Sequence, residues 1–294
     1  MHLAANPILL ALLSSLCIAL GLVIAQYGLR HTPPHVGALI SLPASTMLLW
    51  LFSPWLVDWH AFVPRAAAIF AGVGLFFPVT VTLLIFEANR RMGPNTAGAL
   101  GNVTPLFALL LAALIFGEIP RLAQAFGIAA IIAGVVILSL GRSGQKTVWP
   151  WWAAFLPLAA AAIRGFTQPV TKLGLIDWPN PFAAALIGYS VSSLTVLAAN
   201  SARAGGALHE RLRALRPASF LWFIMVGCCN VSAVLLLYAA LTRGTVTLVS
   251  PLAATYPLIT LALSLVLLRN EPVSARLAGA VVLTVVGVVI LIAA

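Results

Sequence analysis

The chain alternates long apolar runs with short polar punctuation. The runs fall near 7–29, 35–57, 66–88, 93–116 and 121–141, then near 150–172, 181–201, 218–241, 244–268 and 274–293. Each is about the 20 residues needed to cross the hydrocarbon of a bilayer. Lipid offers the backbone no hydrogen-bond partners, so each run predicts a helix. The punctuation is brief: Arg30-His31-Thr32-Pro33-Pro34, Arg90-Arg91-Met92-Gly93-Pro94, and Gly141-Arg142-Ser143-Gly144-Gln145-Lys146. The one long connection runs from Ala202 to Pro217, and no stretch is left over for a soluble domain. The first run is longer than the apolar core of a signal peptide and no Lys or Arg precedes it, so it reads as a retained helix.

The pattern repeats. Ala133-Gly134-Val135-Val136-Ile137-Leu138 matches Val286-Gly287-Val288-Val289-Ile290-Leu291, and at the same offset Glu118 matches Glu271, each before a short turn with a proline. One residue out of step, Pro105-Leu106 matches Pro257-Leu258, Arg91 matches Arg243 and Phe86 matches Tyr238; residues 28–42 align loosely with 174–188. The expected fold is therefore all-α and membrane-integral, with ten transmembrane helices in two five-helix repeats, 1–141 and 147–294. An odd number of crossings per repeat inverts one copy against the other. Such inverted repeats characterise secondary transporters, with the substrate site between the halves near the midplane.

Composition narrows the class. With 62% hydrophobic and 7% charged residues, lipid must replace water as the outer solvent. The net charge of +10 is scattered between apolar runs, without a nucleic-acid recognition motif. Cys17, Cys228 and Cys229 lie in apolar runs and suggest neither a disulfide framework nor a metal site. Trp55, Trp59, Trp149, Trp151, Trp152 and Trp178 sit at predicted helix ends, as interfacial anchors do. Connections after odd-numbered helices carry Arg30, Arg90, Arg91, Arg142, Lys146, Arg203, Arg211, Arg213, Arg216, Arg269 and Arg276; the other side holds Arg65, Arg121, Lys172 and Arg243. The positive-inside rule then places both termini outside.

Gly117-Glu118-Ile119-Pro120, Asn270-Glu271-Pro272-Val273 and the Gly-Val-Val-Ile-Leu helices that follow them resemble the drug/metabolite transporter superfamily, in its ten-helix EamA-type branch. Within that branch the chain is similar to bacterial exporters of aromatic amino acids. The resemblance implies a multi-pass exporter of a bacterial inner membrane, working by alternating access, its cavity lined mainly by helices 1, 3, 4, 6, 8 and 9. It also implies cytoplasmic termini, opposite to the charge count, so sidedness stays open.

Polar groups at mid-membrane depth mark candidate transport residues. Arg164 lies midway along the sixth helix and offers a bidentate donor to a substrate carboxylate; the alternative is that it pairs with helix-end carbonyls or Glu87. Gln168 follows one turn later on the same face. Asn102 and Thr104 precede Pro105, while Thr255 and Tyr256 precede Pro257, a symmetric pair of helix breaks that points to a site or hinge. Phe77, Pro78 and Thr80 combine an aromatic face with a further kink. Ser14 and Asn230 add sparse hydrogen-bonding groups, and Pro78, Pro105 and Pro257 are the candidate hinges. Gly127, Gly134, Gly279 and Gly287 fall where close helix packing is expected.

No Asp or Glu falls near the centre of a helix, which argues against proton coupling through a mid-membrane carboxylate. In a smaller type of relative, a glutamate in the first helix serves cationic drugs, and this first helix has none. No metalloprotease or nucleophile-elbow motif suggests an enzyme. The sequence thus implies a cofactor-free exporter of small amphipathic metabolites, foremost amino acids with aromatic or large apolar side chains, in a monomer or homodimer. A carrier of nucleotide-linked or phosphorylated sugars, or of other drugs or metabolites, and a membrane scaffold are the alternatives.

Overall fold

A computed structural model of the protein describes residues 6–29, 32–140, 150–204, 217–260, 263 and 275–293. The turn at Arg30-His31, the Gly141–Lys146 connection with the boundaries of the two repeats, most of the long connection after Ala204, and Arg269 with the Asn270–Val273 turn lie outside them.

The described residues form α1 (Pro7–Leu29), α2 (Pro34–Leu56), α3 (Pro64–Phe76), α4 (Val79–Gly101), α5 (Thr104–Phe116) and α6 (Leu122–Leu140). The second half gives α7 (Phe155–Asp177), α8 (Pro181–Ala204), α9 (Pro217–Leu241), α10 (Val246–Ala253) and α11 (Ala275–Ala293). Proline opens α1, α2, α3, α8 and α9, where its fixed φ suits the first turn and its missing N–H costs nothing. Five stretches are long and apolar enough to cross a membrane, 7–29, 34–56, 64–91, 181–201 and 220–241, and four shorter apolar helices accompany them. The remaining crossing is α7, whose 23 residues include Arg164 and Lys172.

Among the described residues three crossings are interrupted. The third breaks at Phe77-Pro78 between α3 and α4, the fourth at Asn102-Val103 before α5, and the ninth at Ala254-Thr255 after α10. Pro78 lies in its gap, while Pro105 and Pro257 follow theirs by two residues, in a first turn where the missing N–H is not needed. Helical backbone is continuous through the connection expected at Arg90–Pro94. The chain nevertheless reverses there: a Cβ at Gly101 would lie 3.7 Å from Cδ1 of Ile85, atoms that a straight helix would hold about 24 Å apart.

Helix contacts establish the inversion. A Cβ added at Gly127 of α6 would lie 2.8 Å from the carbonyl oxygen of Gly287 in α11, and one added at Gly287 would lie 2.7 Å from that of Gly127. Gly134, seven residues on in α6, faces Ala280 and Thr284, earlier in α11. The fifth and tenth crossings therefore run antiparallel, with reciprocal contacts of the kind a two-fold axis produces. Gly74 closes on Gly188 in the same way that Gly227 closes on Ser41, and Gly74 and Gly227 share the sequence offset of Glu118 and Glu271. Around this axis α1 packs on α9, α7 on α3 and α4, and α2 on α8.

The connections after the second, fourth, sixth and eighth crossings gather at one end of the bundle, here called the even face. Asn180 Nδ2 donates to Leu56 O at 3.1 Å, Arg65 faces Asp177 at 3.5 Å, and Lys172 joins Glu118 and Gly244.

Some expectations are corrected. Trp178 is 2% exposed, packed against Phe62 and Phe70, because the sixth crossing continues to Asp177 and carries the indole inward; Trp55, Trp59, Trp151 and Trp152 remain exposed. The same extension places Lys172 within α7 instead of in a connection. Gly279 meets nothing within 4 Å and is no part of the α6–α11 seam.

The seam makes a stability prediction. Gly287→Ala would press a methyl onto backbone atoms and should cost about 1–3 kcal/mol, lowering the thermal midpoint in detergent. Gly279→Ala should leave it level or raise it slightly, since alanine is the better helix former.

Candidate functional site: a central cavity around Arg164

A cavity lies in the middle of the bundle between α1, α4, α7, α8 and α9, enclosing about 710 Å³ of unfilled space, its open mouth included. Its walls are chiefly apolar, with Ile18, Phe77, Ile85, Phe86, Val226 and Leu237 among them. Into this surface project Ser14, Thr82, Arg164, Tyr189 and Asn230. An apolar cleft with a few convergent polar groups is the usual form of a small-molecule site.

Each polar group owes its place to a helix contact. Ser14 Oγ donates to Ala233 O at 2.7 Å, tying α1 to α9. One level along that seam a Cβ at Gly21 would come within 3.0 Å of Asn230 Oδ1, so the glycine makes room for the carboxamide. The break at Phe77-Pro78 brings both residues to the cavity wall. Tyr189 is 1% exposed and its hydroxyl has no hydrogen-bond partner.

Among the described residues Arg164 is the sole charged one on the wall. Its guanidinium lies within hydrogen-bonding reach of the Tyr256 hydroxyl and close enough to Tyr189 for its charge to be felt there. Glu87 is not its partner. Glu87 accepts from Arg91 Nε at 2.6 Å and from Arg90 at 2.8 Å, so its charge is spent on its own helix. Among the described residues no carboxylate pairs with Arg164. A cation in mid-membrane costs at least ~2.5–3.5 kcal/mol on insertion scales, and an anionic ligand would offset that cost.

Of the residues expected from the sequence, Ser14, Phe77, Pro78, Arg164 and Asn230 meet at the cavity. Tyr256 joins them through Arg164. Gln168 is 4% exposed with Oε1 unpaired, one turn beyond Arg164. Asn102 is 1% exposed, both its amide atoms unpaired, at the break before α5. Thr80 is half-buried and does not reach the wall, and Pro105 and Pro257 lie at their helix breaks away from it. Tyr189 and Thr82 were not foreseen. Tyr189 sits in an apolar run like any core aromatic, and only the packing of α8 onto α2 turns it inward.

A scan against family models matches the EamA-like transporter family over residues 5–140 and again over 151–293. The chain belongs to the EamA-like transporter family. Its two matched segments divide the protein as the internal repeat does, and membership makes it a multi-pass membrane transporter of small molecules. A crystal structure of a protein is similar with a TM-score of 0.72 at 19% identity, covering 97% of this chain and 95% of its own. At that identity the likeness concerns the fold. No curated protein matches the sequence.

An anionic ligand paired with Arg164 should raise the thermal midpoint, by about 2.7 kcal/mol of stabilisation at one hundred times its Kd. Arg164→Met should fold and lose that response. An unchanged shift in the variant would place the ligand elsewhere.

Proposed function

We propose that this EamA-like transporter is a bacterial inner-membrane exporter of small amphipathic metabolites, foremost amino acids with aromatic or large apolar side chains. It works by alternating access between its two halves, 1–141 and 147–294. One observation carries the reading: Arg164, a cation with no carboxylate partner among the described residues, set in a chiefly apolar cavity. The substrate carboxylate meets Arg164, with Tyr256 and Tyr189 beside it. The side chain lies along Phe77 and Phe86, and Asn230 and Ser14 offer acceptors to the ammonium group. A nucleotide-linked or phosphorylated sugar would call for several cations, and one lines the wall.

Among the described residues the cavity wall includes no Asp, Glu or His, which favours gradient-driven efflux over proton exchange through a carboxylate in the site. Glu87 stands paired with Arg90 and Arg91.

Counterflow of labelled phenylalanine or tryptophan in proteoliposomes, with a competitor panel, tests this directly. Arg164→Ala should reduce transport at least 30-fold, as loss of a desolvated ion pair of 2 kcal/mol or more requires. Aromatic amino acids should compete and nucleotide-linked sugars should not. Retained transport in Arg164→Ala would defeat the assignment. Glu87→Gln should leave any substrate-dependent proton flux unaltered; loss of such a flux would establish proton coupling instead.

A further inference from the structure

Lys172 and Glu118 form a second polar centre, two helical turns from Arg164. Lys172 Nζ donates to Glu118 Oε1 at 2.7 Å and to Gly244 O at 3.0 Å. The other carboxylate oxygen, Oε2, accepts from the backbone N of Thr247 at 3.2 Å and from its hydroxyl at 3.3 Å, at the N-terminus of α10. Both side chains are largely buried, at 15% and 14% exposure, and the ammonium lies 5.2 Å from the Phe116 ring centroid. Glu118 comes from the first half, and Lys172, Gly244 and Thr247 from the second, so this knot clamps the halves together on the even face.

Arg164, Gln168, Thr171 and Lys172 follow at helical spacing along one side of α7, about 12 Å from end to end. On the α10 side, Tyr256 stands by Arg164 and Thr247 by the knot, which puts Ser250 between these anchors. Gln168 Oε1 and Ser250 Oγ are buried without a partner, and Thr171 is 1% exposed. Buried polar groups are normally satisfied, so such a row asks for a reason.

Building on the transporter reading, we propose that this row is the substrate's passage to the even face and that Lys172 is a second carboxylate-binding site on it. Glu118 occupies that site in the closed state, standing in for the substrate's carboxylate. When the halves part, Glu118 leaves Lys172, water satisfies Gln168 and Ser250, and an anion released by Arg164 has a second cation two turns away.

The test needs no substrate. In full-length protein with Cys17, Cys228 and Cys229 replaced by alanine, Ser250→Cys and Thr171→Cys serve as reporters in proteoliposomes. A sulfonate-bearing and an ammonium-bearing methanethiosulfonate are compared, each rate normalised to that with a free thiol. With the knot intact both reporters should react slowly. Glu118→Gln should speed the reaction at least tenfold and favour the sulfonate reagent several-fold. Adding Lys172→Met should keep the access and abolish the preference.

Unchanged access in Glu118→Gln would overturn the passage, and access without charge preference would overturn the second carboxylate site. If Glu118→Gln does not fold, Lys172→Met alone should open the reporters. Failure of both variants to fold would show the knot to be structural and refute the gate. A protein that carries out counterflow but fails these tests would lose this inference and keep its proposed function.

Discussion

In a medium that does not solvate charge, every ionised side chain must be matched or must be waiting for a match. This constraint organises the protein. Glu87 is neutralised on its own helix by Arg90 and Arg91, and Lys172 is neutralised across the halves by Glu118. Arg65 and Asp177 meet at the exposed even face, where the pair contributes little. Arg164 alone brings a charge into the central cavity with no carboxylate beside it among the described residues. The remaining architecture can be understood as the means of holding that cation in a partly enclosed space.

The holding is done by close backbone approach. Between apolar helices in lipid there is no hydrophobic drive to associate, so packing and hydrogen bonds must supply the attraction. Gly127 and Gly287 let α6 and α11 touch reciprocally, and Gly74 and Gly227 do the same for the third and eighth crossings against their neighbours. Ser14, Ser45, Thr46 and Ser192 add hydroxyl-to-carbonyl bonds across the same seams. The outer glycines fix the frame; of the interrupted crossings the third lines the cavity, and the ninth joins it through Tyr256 beside Arg164.

The Gly-Glu signature shows how a repeated motif acquires a purpose from its surroundings. Gly117, at φ +65°, ends α5 in the left-handed conformation that glycine adopts without steric cost, and the N–H groups of Gly117 and Glu118 close back onto Ala113 and Ala112. That turn places Glu118 over the first turn of α10. From the sequence, Glu118 and Lys172 were a turn residue and a connection residue. Neither signalled the other across 54 positions. Tyr189 was invisible for a similar reason, since a tyrosine in an apolar run carries no mark of the direction it faces. Trp178 was misread as an interfacial anchor because its helix ends five residues later than hydropathy suggested.

What the sequence determined by itself were the properties that depend on local composition and on repetition: ten crossings, two copies of a five-crossing unit, the places where proline interrupts a helix, and Arg164 as a charge midway along a helix. Hydropathy reads these because lipid acts on each segment almost independently of the others. Which polar groups converge was decided by tertiary structure alone, including the isolation of Arg164 from Glu87, its company of Tyr256 and Tyr189, and the pairing of Glu118 with Lys172. These depend on the rotation and register of helices far apart in the chain. Those are set by seams such as Gly21 on Asn230 between α1 and α9, where a displacement of one residue would turn a different side chain toward the cavity.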